Sequence, residues 1–203
     1  RAIRMTSLHD LMFFLTHKVA LGHLRKLKMS YLDLEATDGY LLEKLFNNGT
    51  TLEEVNLAGI LTHQIFYLEP TRNALCRLNL NCSTVGNIGV LGGFPKLRCI
   101  KLAGTLIGDI GVTVLGTCAA LEFVNLDDTR ITTIDPLAEC SHLCSLSISS
   151  TKVVNLSKLG GCSQLKVLDV CGIPVSDEGL RGLGDCLQLR SLDLALCTSV
   201  TTI

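Results

Sequence analysis

Aliphatic residues return along this chain in fixed groups rather than in one continuous period. The motif Leu-x-x-Leu-x-Leu, with aliphatic substitutes, begins at Leu24, Leu52, Leu75, Leu97, Leu121, Leu143, Leu165 and Leu189, at spacings of 28, 23, 22, 24, 22, 22 and 24 residues. Counted from each first leucine, the apolar positions are offsets 0, 3, 5, 8 and 10, as in Leu165, Leu168, Val170, Ile173 and Val175. The alternation at offsets 3 and 5 predicts a short strand with one face inward. Offset 8 also admits Ser83, Thr105, Thr129, Thr151 and Cys197. Side chains of that kind are expected to turn inward and bond to backbone inside the coil.

The second half of each unit repeats as well. Asn87, Asp109, Thr133, Asn155 and Asp177 each fall twelve residues after the first leucine of their unit. All are residue types that cap a helix by accepting a bond from an N–H two or three residues on, and that role is expected of all five. A run Leu-x-x-Cys-x-x-Leu then leads into the next strand, as Leu115, Cys118, Leu121; Leu137, Cys140, Leu143; Leu159, Cys162, Leu165; and Leu183, Cys186, Leu189. Phe94 stands in the cysteine's place between Leu91 and Leu97. Each unit therefore reads as strand, turn, short capped helical turn and return, with Asp135–Pro136 as a helix start. The segments Asp33–Asn48 and Phe66–Arg72, the latter containing Pro70, fit the register least well.

A unit of this size cannot bury its own aliphatic face, whereas stacking the next unit on it does so. The repeat resembles the leucine-rich repeat family from about Leu24 to Ile203. The last copy, from Cys186 through Leu189, Leu192, Leu194 and Cys197 to Val200, looks like the cysteine-containing subclass of F-box substrate receptors, and Val175–Leu180 is similar to that subclass's helix entry. Copies with Thr at offset 8 and an aliphatic two residues later also look like those of trypanosomatid leucine-rich repeat proteins. The resemblance implies an α/β solenoid of about eight repeats, with a curved parallel sheet on a concave face and short helices or turns on a convex face. Residues 1–203 are expected to form a single domain, a fragment of a longer array. Ile3, Met5 and Leu8 precede Leu27, Met29 and Leu32 by 24 residues, as if the chain opened inside an earlier repeat, and it closes at Thr201–Ile203 where a helical turn is due.

In such a sheet, offsets 2, 4 and 6 point to solvent. Offset 4 is polar throughout: Lys28, Asn56, Asn79, Lys101, Asn125, Ser147, Asp169 and Asp193. Offset 2 carries Lys26, Glu54, Arg77, Cys99, Phe123, Ser145, Val167 and Ser191, and offset 6 carries Asn81, Asp127 and smaller residues. The charge is graded: residues 1–101 hold 12 Lys+Arg against 8 Asp+Glu (+4), and residues 102–203 hold 6 against 11 (−5). Phe123 is an aromatic on a polar face, the kind of side chain that anchors partners. The partner-binding residues expected from the pattern are Lys28, Arg77, Asn79, Lys101, Phe123, Asn125, Asp127, Asp128, Asp169 and Asp193. A solvated face without a partner would also be polar.

Composition narrows the chemistry. Apolar residues make up 47% of the chain and aromatics 4%, with no Trp, which fits stacked identical coils better than a core of rings. A net charge of −1 argues against general binding to nucleic acid or an anionic membrane, and no apolar run is long enough for membrane insertion. The ten cysteines admit a disulfide scaffold. In-register positions, however, make Cys118, Cys140, Cys162 and Cys186 small inward hydrophobes whose Cβ vectors do not converge. Cys76, Cys82, Cys99 and Cys171 are the candidates for exposure, and no Cys-x2-Cys pair marks a zinc site. Abundant unpaired thiols suit an intracellular protein, cytoplasmic or nuclear. Sequons at Asn48, Asn81 and Asn155 pull toward a secreted reading, although Asn155 sits at a cap. The five histidines (His9, His17, His23, His63 and His142) share no register, and no nucleophile or phosphate loop accompanies them. Gly86–Gly93 reads as a tight convex turn. The expectation is therefore a non-enzyme without metal or cofactor, binding another protein through its concave face. As an intracellular adaptor it would serve as a substrate-recruiting arm, for instance of a ubiquitin ligase; the alternative is a receptor ectodomain.

Overall fold

A computed structural model of the chain describes residues 2–16, 23–32, 39–47, 51–63 and 65–201. The sequon at Asn48, His17 and Ile203, and part of the Asp33–Asn48 stretch, lie outside these. Nine three-residue strands form one parallel sheet in chain order: β1 Ala2–Arg4, β2 Lys26–Lys28, β3 Glu54–Asn56, β4 Arg77–Asn79, β5 Cys99–Lys101, β6 Phe123–Asn125, β7 Ser145–Ser147, β8 Val167–Asp169 and β9 Ser191–Asp193. Their pairing follows the register of the sequence, with Leu27 opposite Val55, Leu78, Ile100, Val124, Leu146, Leu168 and Leu192 in turn. Ile3 pairs with Leu27, so the 24-residue echo before the first full motif is a ninth strand.

The central residue of each strand from β2 to β8 is buried while its neighbours are not, which is the period of two that the pattern predicts. Opposite the sheet, the return segments form α1 Leu8–Thr16, α2 Gly39–Phe46, α3 Asp109–Gly116 and 3-10 turns at Phe66–Thr71, Gly89–Leu91, Asp135–Glu139, Ser157–Gly161 and Glu178–Asp185. The 28-residue spacing accommodates α2, and the irregular Phe66–Thr71 turn includes Pro70. Arg72 ties that turn to the next coil: it pairs with Glu69 at 2.7 Å, donates to the Gly92 carbonyl at 2.9 Å and lies 4.8 Å from the Phe94 ring centre.

Hydrogen bonds inside the coils explain the small polar and cysteine positions. The hydroxyls of Ser83, Thr105, Thr129 and Thr151 donate to the carbonyls of Leu80, Leu102, Leu126 and Ile148, three residues back, at 2.5–2.7 Å. Cys118, Cys140, Cys162 and Cys186 are buried, and each thiol donates to a leucine carbonyl of the preceding coil: Leu91, Leu115, Leu137 and Leu159, at 3.1, 3.7, 3.5 and 3.2 Å. Cysteine here is a hydrophobe with a weak donor, filling space while bridging coils. Burial pushes the thiols of Cys140 and Cys162 up to about 12 and about 11.

Two of the five expected caps work differently. Asn87, Thr133 and Asn155 accept from the N–H two residues on, at 2.8, 3.2 and 2.9 Å. Asp109 instead reaches the next coil, accepting the Thr132 N–H at 2.7 Å, the Thr132 hydroxyl at 2.6 Å and the Thr133 N–H at 3.2 Å. Asp177 does the same to Thr201, at 3.0 Å from the N–H and 2.7 Å from the hydroxyl. These two aspartates lie in coils of 24 residues, whose longer helical turns (α3 and Glu178–Asp185) lead on to the next coil. Cap-type residues thus serve local turns in the shorter coils and act as brackets between coils in these two. Burial raises the Asp109 carboxyl, but the bonds from Thr132 and Thr133 outweigh it, and the group sits below its ordinary value.

A further regularity lies at offset 7. Tyr31, Cys82, Asp128, Ser150 and Leu196, together with Gly59, Gly104 and Gly172, all have φ between 50° and 72°. These are the eight offset-7 residues, so every copy of the motif leaves its strand through a left-handed corner. Glycine adopts that conformation without strain, and at Gly59 a Cβ would also meet the Tyr31 ring 2.2 Å away.

Candidate binding face of the sheet

The residues that point away from the core divide into two groups. Over β6–β9, much of the polarity is structural. Oδ1 of Asn125, Asp169 and Asp193 accepts the N–H of Asp127, Cys171 and Ala195, closing the strand exit at 3.1, 3.1 and 2.8 Å. Asp127 accepts the Asn125 amide at 2.8 Å, the Ser147 hydroxyl at 2.6 Å and the Ser149 N–H at 2.8 Å. The Ser149 hydroxyl in turn donates to Asp169. Ser149, just beyond β7, therefore links two carboxylates, and with Ser147 it completes a network that ties three coils together. Phe123 stands beside this network, 49% exposed, paired across the strands with Cys99 and Ser145.

Over β1–β5 the face opens into a cleft of about 640 Å³. Arg4, Lys26, Lys28, Arg77 and Lys101 line it, with Glu54 as its carboxylate. Glu54 lies 2.9 Å from Lys26 and 3.9 Å from Arg77. Asn56 and Asn79 spend their Oδ1 atoms on the N–H groups of Ala58 and Asn81, at 3.1 and 3.0 Å. Asn81, in turn, accepts the Ala103 N–H of the next coil at 2.9 Å, so this sequon residue is built into the coil stacking.

No protein-family model matches the chain, and no curated protein matches it in sequence. Solved structures do match in shape. Internalin C2 of Listeria monocytogenes aligns with a TM-score of 0.77 at 19% identity, covering 94% of this chain and 76% of that one. An internalin, inlF, of the same organism gives 0.65 at 21%, covering 85% and 61%. A leucine-rich repeat protein of Leptospira interrogans gives 0.75 at 16%, covering 96% of this chain and 48% of its own. The chain has the leucine-rich repeat fold. In leucine-rich repeat terms, β2–β8 open seven full repeats, flanked among the described residues by β1 with α1 on one side and by β9 on the other.

Of the residues expected to bind, Lys28, Arg77, Asn79 and Lys101 share the basic cleft, while Phe123, Asn125, Asp127, Asp169 and Asp193 share the polar strip over β6–β9. Asp128 stands apart from both, at a left-handed corner beyond its strand. Lys26, Glu54 and Asn56 also line the cleft though only their outward direction was expected, and Arg4 is a charged lining residue that the sequence pattern did not single out; the 24-residue echo around Ile3 was its signal, since it places Arg4 opposite Lys28. Among the described residues, no three His, Cys, Asp or Glu side chains are grouped to hold a metal ion, and no helix is long and apolar enough to cross a membrane.

Proposed function

We propose that this leucine-rich repeat chain is a non-catalytic protein-recognition module that captures a protein partner on its concave sheet, as an intracellular adaptor or substrate-recruiting arm. Phe123 carries the reading. An exposed ring in the middle of a polar sheet, bordered by the small side chains of β7, is the arrangement in which a few buried contacts supply most of an interface's energy. Lys101 and the Asn125–Asp127–Asp169 strip flank it and supply polar contacts at its rim. The cysteine-containing last repeat favours a recruiting arm of a ubiquitin ligase among the adaptor roles, and buried thiols bonded to carbonyls suit a reducing compartment. A receptor ectodomain is the second reading, favoured by the sequon at Asn81, which lies at the sheet face.

The test is affinity capture with Phe123→Glu beside Ile110→Glu, a control on α3 whose side chain is 85% exposed. Both should keep the wild-type circular dichroism spectrum. Loss of the captured protein with the first and retention with the second is expected; retention with both overturns the reading. Asp127→Lys is a poor probe, because its carboxylate bonds its own repeat to the next through Ser147 and Ser149. Titrating thiols in denaturant without reductant separates the two locations: ten free thiols support the adaptor, and near zero the ectodomain.

A further inference from the structure

The basic cleft over β1–β5 has a character of its own, separate from the Phe123 strip. Five cations face one carboxylate among its lining residues. Lys26 and Arg77 share Glu54, while Arg4, Lys28 and Lys101 are exposed and have no acidic partner among the described residues. The hydrogen-bonding groups lean the same way. With Oδ1 of Asn56 and Asn79 already engaged, their Nδ2 groups remain as donors at the cleft wall. A second hollow of about 520 Å³ continues from it, sharing Arg4, Lys28, Asn56 and Asn79, and is lined by Ser30, whose buried hydroxyl has no hydrogen-bond partner among the described residues. A wall rich in donors and cations and nearly empty of acceptors is complementary to carboxylates and main-chain carbonyls.

We infer that this cleft takes an extended acidic segment of a protein partner, with its carboxylates on Arg4, Lys28 and Lys101. The inference rests on the protein-recognition reading and names the chemistry of what is recognised. Geometry sets the spacing. Lys28, Asn56, Asn79 and Lys101 form one row across four adjacent strands, so Lys28 and Lys101 are separated by about 14 Å at the usual strand spacing. An extended peptide covers nearly the same distance in four residues, at about 3.4 Å each. Two acidic side chains four apart, on the same face of a peptide running across the strands, therefore reach both lysines. The intervening backbone carbonyls meet the Asn56 and Asn79 amides. Arg4 lies one strand beyond Lys28 and takes an acidic group just outside the pair. Single-stranded RNA fits less well, because no ring among the described residues lines the cleft for stacking, the Tyr31 ring lying in the adjoining hollow, and Glu54 is part of the lining.

Fluorescence polarisation with synthetic probes tests this. The probes are a labelled Ser/Ala peptide with two glutamates four apart, the same peptide with lysines in their place, and an oligouridylate. The acidic peptide should bind, and bind more weakly as salt rises, while the lysine peptide should not bind. Lys28→Glu with Lys101→Glu should weaken binding by about tenfold or more, since two attractive contacts become repulsive. Lys158→Glu, in the Ser157–Gly161 turn opposite the sheet, should leave it unchanged. All five substituted or control side chains tested here and above are exposed, so the melting temperature checks that folding is intact. Binding that survives the double reversal, absence of binding by the acidic peptide, or an equally tight oligouridylate complex lost with the same lysines each overturns the inference. The two readings fail separately. Partner capture lost with Phe123→Glu but kept with the double reversal removes the cleft and leaves the recognition module. Capture indifferent to Phe123→Glu removes the module reading, while the peptide titration still decides the cleft.

Discussion

Replacing Asp109 with alanine removes three hydrogen bonds that cross from one repeat to the next. Bonds to an ionised acceptor contribute roughly 1.5–3 kcal/mol each where water is excluded. A surface cap contributes about 0.5–2 kcal/mol. Asp109 is only partly covered, so the three bonds together are worth about 1–2 kcal/mol, near the surface figure. Asn87→Ala, which loses one bond within its own turn, should cost about 0.5 kcal/mol, at the low end of that range. In a urea titration followed by circular dichroism, Asp109→Ala should lower the midpoint by about 0.4–0.8 M, for a slope of roughly 2.5 kcal/mol/M. Asp109→Asn should fall between the two, since its Oδ1 still accepts the N–H groups while its charge is gone. The pH dependence follows from the lowered carboxyl. Its contribution is complete above the unfolded value of about 3.9 and disappears as the pH falls through the lower folded value. The gap between wild type and Asp109→Ala should therefore narrow in acid, toward that between Asp109→Asn and Asp109→Ala. A cost no greater than that of Asn87→Ala, or a gap that does not narrow in acid, would refute the bracket between repeats.

Two further outcomes are expected. Thr129→Val keeps the volume but strands the Leu126 carbonyl inside the coil, which should cost about 1–3 kcal/mol by thermal or urea unfolding; a neutral effect would mean that the carbonyl finds another donor. Cys118, Cys140, Cys162, Cys186 and Cys197 should react with a thiol reagent only after denaturation, whereas exposed Cys82 reacts in the native state. Because burial raises the Cys140 and Cys162 thiols, their contribution is whole below the unfolded value of about 8.5 and is lost as the pH climbs toward 11 and 12. Stability should accordingly decline through that alkaline window, and less steeply in Cys140→Ala.

The strands and core were legible because period two and a fixed repeat length constrain every aliphatic position at once. Leu146 or Ile148 has one place to go. The caps were only half legible, since the same side-chain chemistry accepts a bond from its own turn at Asn155 and from the neighbouring coil at Asp109. Both brackets are aspartates in 24-residue coils and the three local caps are Asn or Thr in 22-residue coils, so residue type and coil length change together. The left-handed corner was hidden for a related reason. Gly59, Gly104, Gly172 and Asp128 advertise positive φ, but Tyr31, Cys82 and Leu196 do not, and stacking imposes the conformation on them. On the sheet face, the polar column was read as contact surface, whereas Asn125, Asp127 and Asp169 also close the strand exits.

The corner at offset 7 separates two regimes of chain length. From the first leucine to that corner every full repeat has the same number of residues, and all variation between 22 and 28 falls after it. The sheet face is thus insulated from insertions and deletions, which are absorbed on the far side. Lengthening the Ser157–Gly161 loop, for example, would leave Ser145, Val167 and their neighbours at unchanged separations. Shape drift in this array and the wording of its surface are free to change independently.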